Sequence, residues 1–245
     1  MINDTVWKSD ALVAKYLDGV RGAIPLAAEQ LDIMLRLLAT REAGIARFLD
    51  LGCGDGILAR AIFERFPSAQ GVLSDFSEPM LGAAREKLAP LHGRYSLLCQ
   101  DYGQPEWAET VRLLGPFDAV VSGFSIHHQP DARKREIYQE IFQLLTPGGW
   151  FVQIEHVAPA SELEHQLNEE LFAENIWRQQ QAQGGLATLD EVRHEFVRRP
   201  DQAANLLTPV ERQCAWLREI GYVDVDCYLK IFELAVFAGR RATEK

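Results

Sequence analysis

"FLDLGCGDG", residues 48–56, places Gly52, Gly54 and Gly56 within five positions, directly after an apolar run. Glycine lets the backbone adopt dihedrals, and approach a neighbour, in ways that a Cβ blocks. The loop sits where a strand hands over to a helix, so its backbone N–H groups are free to face a small ligand. Dinucleotide loops read GxGxxG. Here the spacing is GxGxG, with Asp50 just before it. An acid at that point suits a ligand bringing a positive or hydrogen-donating group, and not a bare pyrophosphate.

Working outward, apolar and amphipathic runs alternate. ARFLDL (46–51), GVLSD (71–75), YSLLC (95–99), FDAVVS (117–122) and WFVQIEHV (150–157) predict strands. Between them, 57–66, 78–89, 105–114 and 131–145 predict helices, and TPGG (146–149) stops the last of these. Leu58, Ile62 and Phe66 share one stripe at a spacing of four. Pro79 falls in the first turn of its helix, where a missing N–H costs little. Such alternation means an α/β fold, a parallel sheet with crossover helices. Continuous apolar strands suit a sheet buried on both faces.

The pattern then changes. Residues 160–220 carry only helical signals, and YVDVDCYLKIF with ELAVFAGRR, around 222–240, predicts a closing antiparallel pair. Residues 1–43 read as helices broken at Pro25. The expectation is one domain: a helical cap (1–43), a ligand-binding core (44–157), a helical insert (158–220) and the closing strands (221–240).

Bulk properties exclude several classes. The 245 residues carry a formal net charge of −10, which disfavours the Lys/Arg phosphate contacts of direct nucleic-acid binding. Arg193, Arg198, Arg199, Arg212 and Arg218 cluster late in the chain and read more simply as a solvated face. No apolar run reaches the roughly 18 residues of a membrane span. No signal peptide is evident in MINDTVWKSD, so a cytoplasmic location is expected. Cys53, Cys99, Cys214 and Cys227 form no CxxC and no zinc spacing, and read as reduced thiols.

Acids recur at the predicted strand ends. Asp75 closes the second strand about twenty residues past the loop, where doubly wound folds place an acceptor for ribose hydroxyls. Phe76 follows and can pack on an adenine face; Asp101, followed by Tyr102, can accept from an adenine amine. Asp also ends strands simply as a turn former. Three such acids together with the glycine loop favour a ligand.

These segments carry a resemblance. "LDLGCGDG", "SDFSEPML", "CQDY", "FDAVVSGFSIHH" and "LLTPGGWFVQIE" resemble the successive motifs of class I S-adenosylmethionine-dependent methyltransferases, over residues 46–157 and the final two strands. The resemblance implies a Rossmann-like, doubly wound seven-stranded sheet of order 3-2-1-4-5-7-6 with strand 7 antiparallel. It implies S-adenosyl-L-methionine as cofactor and S-adenosyl-L-homocysteine as product. Asp50 and the loop would hold the methionine part, Asp75 the ribose, and Asp101 would lie by the adenine amine. Phe76, Met80, Tyr102 and Ser122 join this cofactor set. The leading helices are similar to those of a subgroup with "IHH" after strand four, which holds small-molecule methyltransferases and, more distantly, carboxy-S-adenosylmethionine synthases. There, leading-helix residues close over the cofactor; Tyr16 and Arg21 are the candidates, Arg21 for the methionine carboxylate.

Methyl transfer needs an aligned nucleophile, excluded water and, for many acceptors, a base. His127 and His128 follow strand four, near where the methyl would point, and an imidazole can act as base at neutral pH. Packing or capping is the plainer role for either ring. Glu155 and His156 end strand five; Glu155 can orient an acceptor and His156 can touch it. Trp177, Arg178, Trp216 and Tyr228 are weaker substrate contacts, while Leu163, Leu167 and Leu171 form a packing stripe. The insert is either a lid over the acceptor or a homodimer surface. No [ND]PP[YF] or Pro-Cys follows strand four, against DNA-base chemistry, and no metal is expected. The favoured reading is methyl transfer to a small molecule. A tRNA-modification enzyme, direct or through a carboxylated cofactor, and an NAD-dependent oxidoreductase are the alternatives.

Overall fold

The computed structural model describes residues 7–18, 20–199, 202 and 204–243, with the side chains of 11, 15, 18, 20 and 21 outside that description. Five strands run parallel: β1 (Arg47–Leu51), β2 (Gln70–Asp75), β3 (Tyr95–Cys99), β4 (Phe117–Gly123) and β5 (Leu145–His156). β7 (Leu234–Arg240) pairs antiparallel with β5, and β6 (Val223–Ile231) pairs antiparallel with β7. The order is β3-β2-β1-β4-β5-β7-β6, as expected.

Period-two alternation sorts the strand residues between two helical layers. Phe48, Val121, Val152 and Val236 face α2 (Ala27–Ala39), α3 (Ile57–Arg65) and α4 (Glu78–Lys87). Their neighbours Leu49, Val120, Phe151 and Phe237 face α5 (Trp107–Arg112), α6 (Asp131–Leu144) and α9 (Val210–Ile220). Both faces are buried, which is why these strands read as unbroken apolar runs. Ser77 caps α4 through its side-chain oxygen, which accepts from the Met80 N–H.

The insert forms α7 (Glu162–Ala182) and α8 (Leu189–Val197), which with Ala23 and Leu234 enclose a third cluster of Phe172, Ile176, Val192 and Phe196. A reciprocal Thr188–Glu191 capping box starts α8. α1 (Asp10–Asp18) and a 3₁₀ turn (Val20–Ala23) lead into α2.

Two expectations are corrected. β5 starts at Leu145, so TPGG belongs to the strand; its pairing with β4 shifts register between Phe117 and Ala119. A Cβ on Gly149 would lie 2.9 Å from the Thr146 carbonyl oxygen, so the irregularity needs a glycine. In α7 the expected packing stripe is not the buried face. Leu163 and Leu167 are exposed and Leu171 is half-buried, while Asn168, Phe172, Ala173 and Ile176 turn inward.

Asp118 ties the amino end of the sheet together. One carboxylate oxygen accepts from the Ala46 and Arg47 N–H groups at 2.9 and 3.0 Å. The other accepts from Thr146 at 3.2 Å and pairs with Arg41 at 2.8 Å. Replacing Asp118 by Ala takes the carboxylate from a half-buried guanidinium, which keeps the Gly44 carbonyl, and leaves two amides without this acceptor. Urea denaturation should show a loss of about 3 kcal/mol, against under 1 kcal/mol for the exposed pair partner Asp32→Ala.

Candidate active site

The glycine loop is zipped onto the end of β2. The Gly52 and Cys53 N–H groups both donate to the Ser74 carbonyl, at 2.8 and 3.0 Å. The Gly54 N–H donates to the Asp75 carboxylate at 2.9 Å. Gly52 has φ +68°, and a Cβ there would fall 1.9 Å from the Ser125 Oγ. Gly54 has φ +52° and faces open space, its virtual Cβ meeting nothing nearer than Met80 Sδ at 3.9 Å. Gly56 serves packing: a Cβ there would lie 2.8 Å from a Leu88 methyl.

A cavity of about 300 Å³ opens above this loop. Gly52, Gly54, Asp75, Phe76, Met80 and Tyr16 line one side, and His127, His128 and His156 line the other. Asp75 is buried, and burial pushes its carboxyl up to about 6 despite hydrogen bonds from the Ser77, Gly54 and Phe76 N–H groups. Ser77 donates to the Trp7 carbonyl at 2.6 Å, and the Trp7 and Tyr16 rings meet edge-on at 5.1 Å.

Other expected residues stand behind the wall. Asp50 is fully buried under the loop, accepting from the Ala59 N–H at 3.1 Å in the first turn of α3. Ser122 donates to the Leu51 carbonyl at 2.7 Å. Tyr102 is buried with its hydroxyl 2.6 Å from Ser125 Oγ, and exposed Asp101 accepts from the Gly103 N–H at 2.7 Å. Arg21 lies outside the described side chains. The weaker substrate contacts are corrected by position, since none lines the cavity. Trp177 donates to the Ala187 carbonyl, exposed Arg178 pairs with Glu174, Tyr228 caps the Asp224 carbonyl, and Trp216 sits in the core.

At the other end, β4 turns at Phe124 (φ +50°) into a 3₁₀ turn, Ile126–His128. The His127 Nδ1 lies 2.5 Å from Glu155 Oε1, and the His127 N–H donates to Glu155 Oε2 at 3.1 Å. Gln153 and the His156 amide also donate to this carboxylate. Burial pushes Glu155 up, but the His127 imidazole and these hydrogen bonds outweigh it and hold the carboxyl below its ordinary value. An ionised acceptor on Nδ1 fixes the proton there and leaves the Nε2 lone pair of His127.

His156 forms a second such pair, its Nε2 2.6 Å from Glu233 Oε2. Burial lowers its pKa, only partly offset by Glu233. Glu233 also binds His165 Nδ1 of α7 at 2.6 Å. Phe172 and Phe196, stacked at 5.2 Å, complete the insert's side. Sequence reasoning missed Trp7, Ser125, His165, Asn168, Phe172, Phe196 and Glu233, all lining the cavity. The position of the insert after β5 pointed toward His165, Asn168, Phe172 and Phe196 alone; Trp7, Ser125 and Glu233 lie outside it.

Residues 48–149 match the family model described as "Methyltransferase domain". The chain is 35% identical over 139 residues to a ubiquinone/menaquinone biosynthesis C-methyltransferase of Syntrophotalea carbinolica, covering 54% of this chain and 54% of the relative. It is 26% identical over 149 residues to a carboxy-S-adenosyl-L-methionine synthase of Campylobacter lari, covering 60% and 61%. The chain thus spans little more than half the length of these curated relatives. The fold is similar to that of an O-methyltransferase family protein from Burkholderia thailandensis, with a TM-score of 0.66 and 18% identity, covering 99% of this chain and 62% of that one.

His128 gives a stability prediction. Burial beside His127 pushes its pKa down to about 3, while the unfolded ring titrates near 6.5. The unfolded chain therefore takes the proton first, and stability falls as pH drops from 6.5 toward 3. The slope contributed is up to roughly 1 kcal/mol per pH unit. In His128→Asn, which keeps a donor for the Ala204 carbonyl, urea midpoints between pH 7 and 5 should fall less steeply than in the parent.

Proposed function

We propose that this chain, a member of the class I S-adenosylmethionine-dependent methyltransferases, binds S-adenosyl-L-methionine on its glycine loop and methylates a small-molecule acceptor enclosed by the insert. The observation that carries this reading is one cavity joining the glycine loop and Asp75 to the His127–Glu155 pair. The residues fit the cofactor. Gly54 leaves open space above the backbone, and the two Asp75 oxygens together hold three N–H donors, of Ser77, Gly54 and Phe76. A carboxylate oxygen has capacity for more, which suits a ribose diol. Tyr16, Phe76 and Trp7 offer ring faces around the same space. Asp50 acts through the loop, bracing it against α3.

When bound, S-adenosyl-L-methionine supplies a methyl group on a sulfonium, a carbon electrophile whose leaving group needs no protonation. The chain's residues supply alignment, dryness and a base. His127 takes the acceptor's proton on Nε2, and ionised Glu155 steadies the resulting imidazolium. The insert excludes water: the Leu206 N–H donates to the His127 carbonyl at 3.0 Å, and His128 holds the Ala204 carbonyl at 3.1 Å.

A second reading, synthesis of a carboxylated cofactor, is favoured by the carboxy-S-adenosyl-L-methionine synthase relative and by Arg199, a cation lining the cavity over the Phe196 ring. Mass spectrometry of the ligand that co-purifies with the protein separates the two readings.

Calorimetry tests the main reading. S-adenosylmethionine should bind and NAD should not; the reverse overturns it. Asp75→Ala should weaken S-adenosylhomocysteine at least tenfold. In the parent, affinity should fall as pH is lowered through about 6, where Asp75 takes up its proton. His127→Gln should cut turnover by roughly 10²–10⁴-fold while leaving S-adenosylhomocysteine affinity unchanged.

A further inference from the structure

α7 turns one stripe of side chains toward the cavity: His165, Asn168, Glu169 and Phe172, at the spacing of a single helix face. Three of these have partners. His165 binds Glu233 through Nδ1, and its Nε2 lies 3.6 Å from a Glu169 oxygen. Phe172 packs on Phe196 in the third apolar cluster. Asn168 is the exception. It is 3% exposed, and among the described residues neither its Oδ1 nor its Nδ2 has a hydrogen bond.

That placement is costly twice over. Asparagine is a weak helix former, and Asn168 stands in the interior of a 21-residue helix. A carboxamide taken from water without partners also forfeits its hydrogen bonds. Buried polar groups in folded proteins are nearly always partnered, so this one needs a reason. Packing supplies none, since an apolar side chain at the same position would cost less on both counts. The residue lines the cavity, and a ligand there is the reason that remains. No hydrogen bond holds the carboxamide, so it is free to turn about its last bond to face that ligand.

We infer that Asn168 is a specificity-determining residue, and that the methyl acceptor carries an uncharged amide-type edge, an N–H and a carbonyl on adjoining atoms, which pairs with the Asn168 carboxamide. This rests on the methyltransferase reading above. A carboxamide presents an oxygen acceptor and an N–H donor side by side on one plane. A lone carbonyl meets the N–H and leaves the oxygen unmet. A carboxylate does the same and sets its second negative oxygen against the Asn168 oxygen. An ammonium meets the oxygen and sets its own N–H groups against the amide. A hydroxyl is a single atom and does not face both groups with good geometry at once. An amide edge meets both with two parallel hydrogen bonds. Asn168 and His127 line the same cavity, so the edge sits at the insert end while the reacting atom sits by His127.

The test titrates benzamide, acetophenone and benzoate, three probes built on the same ring, into the full-length protein labelled with nitrogen-15, with and without saturating S-adenosylhomocysteine. The readout is the side-chain amide resonance of Asn168, identified by its loss in Asn168→Leu, which keeps the branching at Cγ. Benzamide should move that resonance and bind roughly fivefold or more tightly than either other probe. In Asn168→Leu, followed through the backbone resonances of α7, the three affinities should come within about twofold of one another. The same variant should leave the urea midpoint at or above that of the parent, because it removes an unpaired carboxamide; a carboxamide with a structural task would lower it. No benzamide binding, equal affinities in the parent, a benzamide preference that survives in Asn168→Leu, or a lowered midpoint in that variant overturns the assignment. Calorimetry with S-adenosylhomocysteine alone reports separately on the cofactor reading, so loss of one leaves the other judged on its own titration.

Discussion

The site depends on how the loop after β1 is held. Two consecutive amides, of Gly52 and Cys53, share the Ser74 carbonyl, and a third, of Gly54, is taken by Asp75. All these partners lie at the end of β2, so the loop has its shape only because β2 is hydrogen-bonded beside β1. Positive φ at Gly52 and Gly54 then turns the backbone to meet them. The cradle is thus a consequence of sheet order. Asp75 has a double duty, since the carboxylate that shapes the loop also faces the cavity. Its raised pKa is the electrostatic cost of that burial, and a ligand's donors would relieve it.

The opposite wall obeys a different rule. Glu155 is buried as deeply as Asp75, yet its pKa is lowered. The difference lies in the neighbours. Asp75 receives backbone N–H groups alone, whereas Glu155 receives two amides, the Gln153 side chain and an imidazole that can share its charge. A carboxylate supported in this way can stabilise a positive ring beside it, which a base needs once it has taken a proton. His128, its ring centre 4.0 Å from that of His127 but bound to a carbonyl, has no such support and stays neutral. Two adjacent histidines thus have different chemistry because of one atom each.

The sequence made the loop side of this cavity legible because that side is local. Buried parallel strands are continuous apolar runs, and a strand end followed by glycines leaves a visible signature in a few residues. Asp75 and Phe76 were readable for the same reason. The insert side was not. α7 carries leucines at a spacing of four on one side and Phe172, Ala173 and Ile176 on another, so periodicity alone cannot say which face turns inward. The presence of Asn168 on the buried side makes sense only once the cavity beneath it is known. Glu233 sits in the β6–β7 turn, 77 residues from His156 and 68 from His165. Its meaning is a tertiary contact, which no spacing rule encodes. Asp50 shows the reverse error. Its position before the loop suggested ligand contact, and its side chain instead braces the helix start from below.

This division has a mechanical consequence. The loop side is built largely from backbone amides and from carboxylates tied to them, so its geometry follows from the sheet and changes only if the sheet does. The insert side is built from side chains that α7, α8, β5 and the β6–β7 turn bring together from distant parts of the chain. Exchanging those side chains would reshape that end of the cavity without disturbing the loop, because among the described residues no hydrogen bond of Gly52, Cys53 or Gly54 reaches the insert. The link between the halves is Ser125. It holds Tyr102 at 2.6 Å and occupies the space a Cβ on Gly52 would need. A turn that starts the histidine wall therefore fits only against a glycine in the loop wall, and that steric constraint sets the two halves in register.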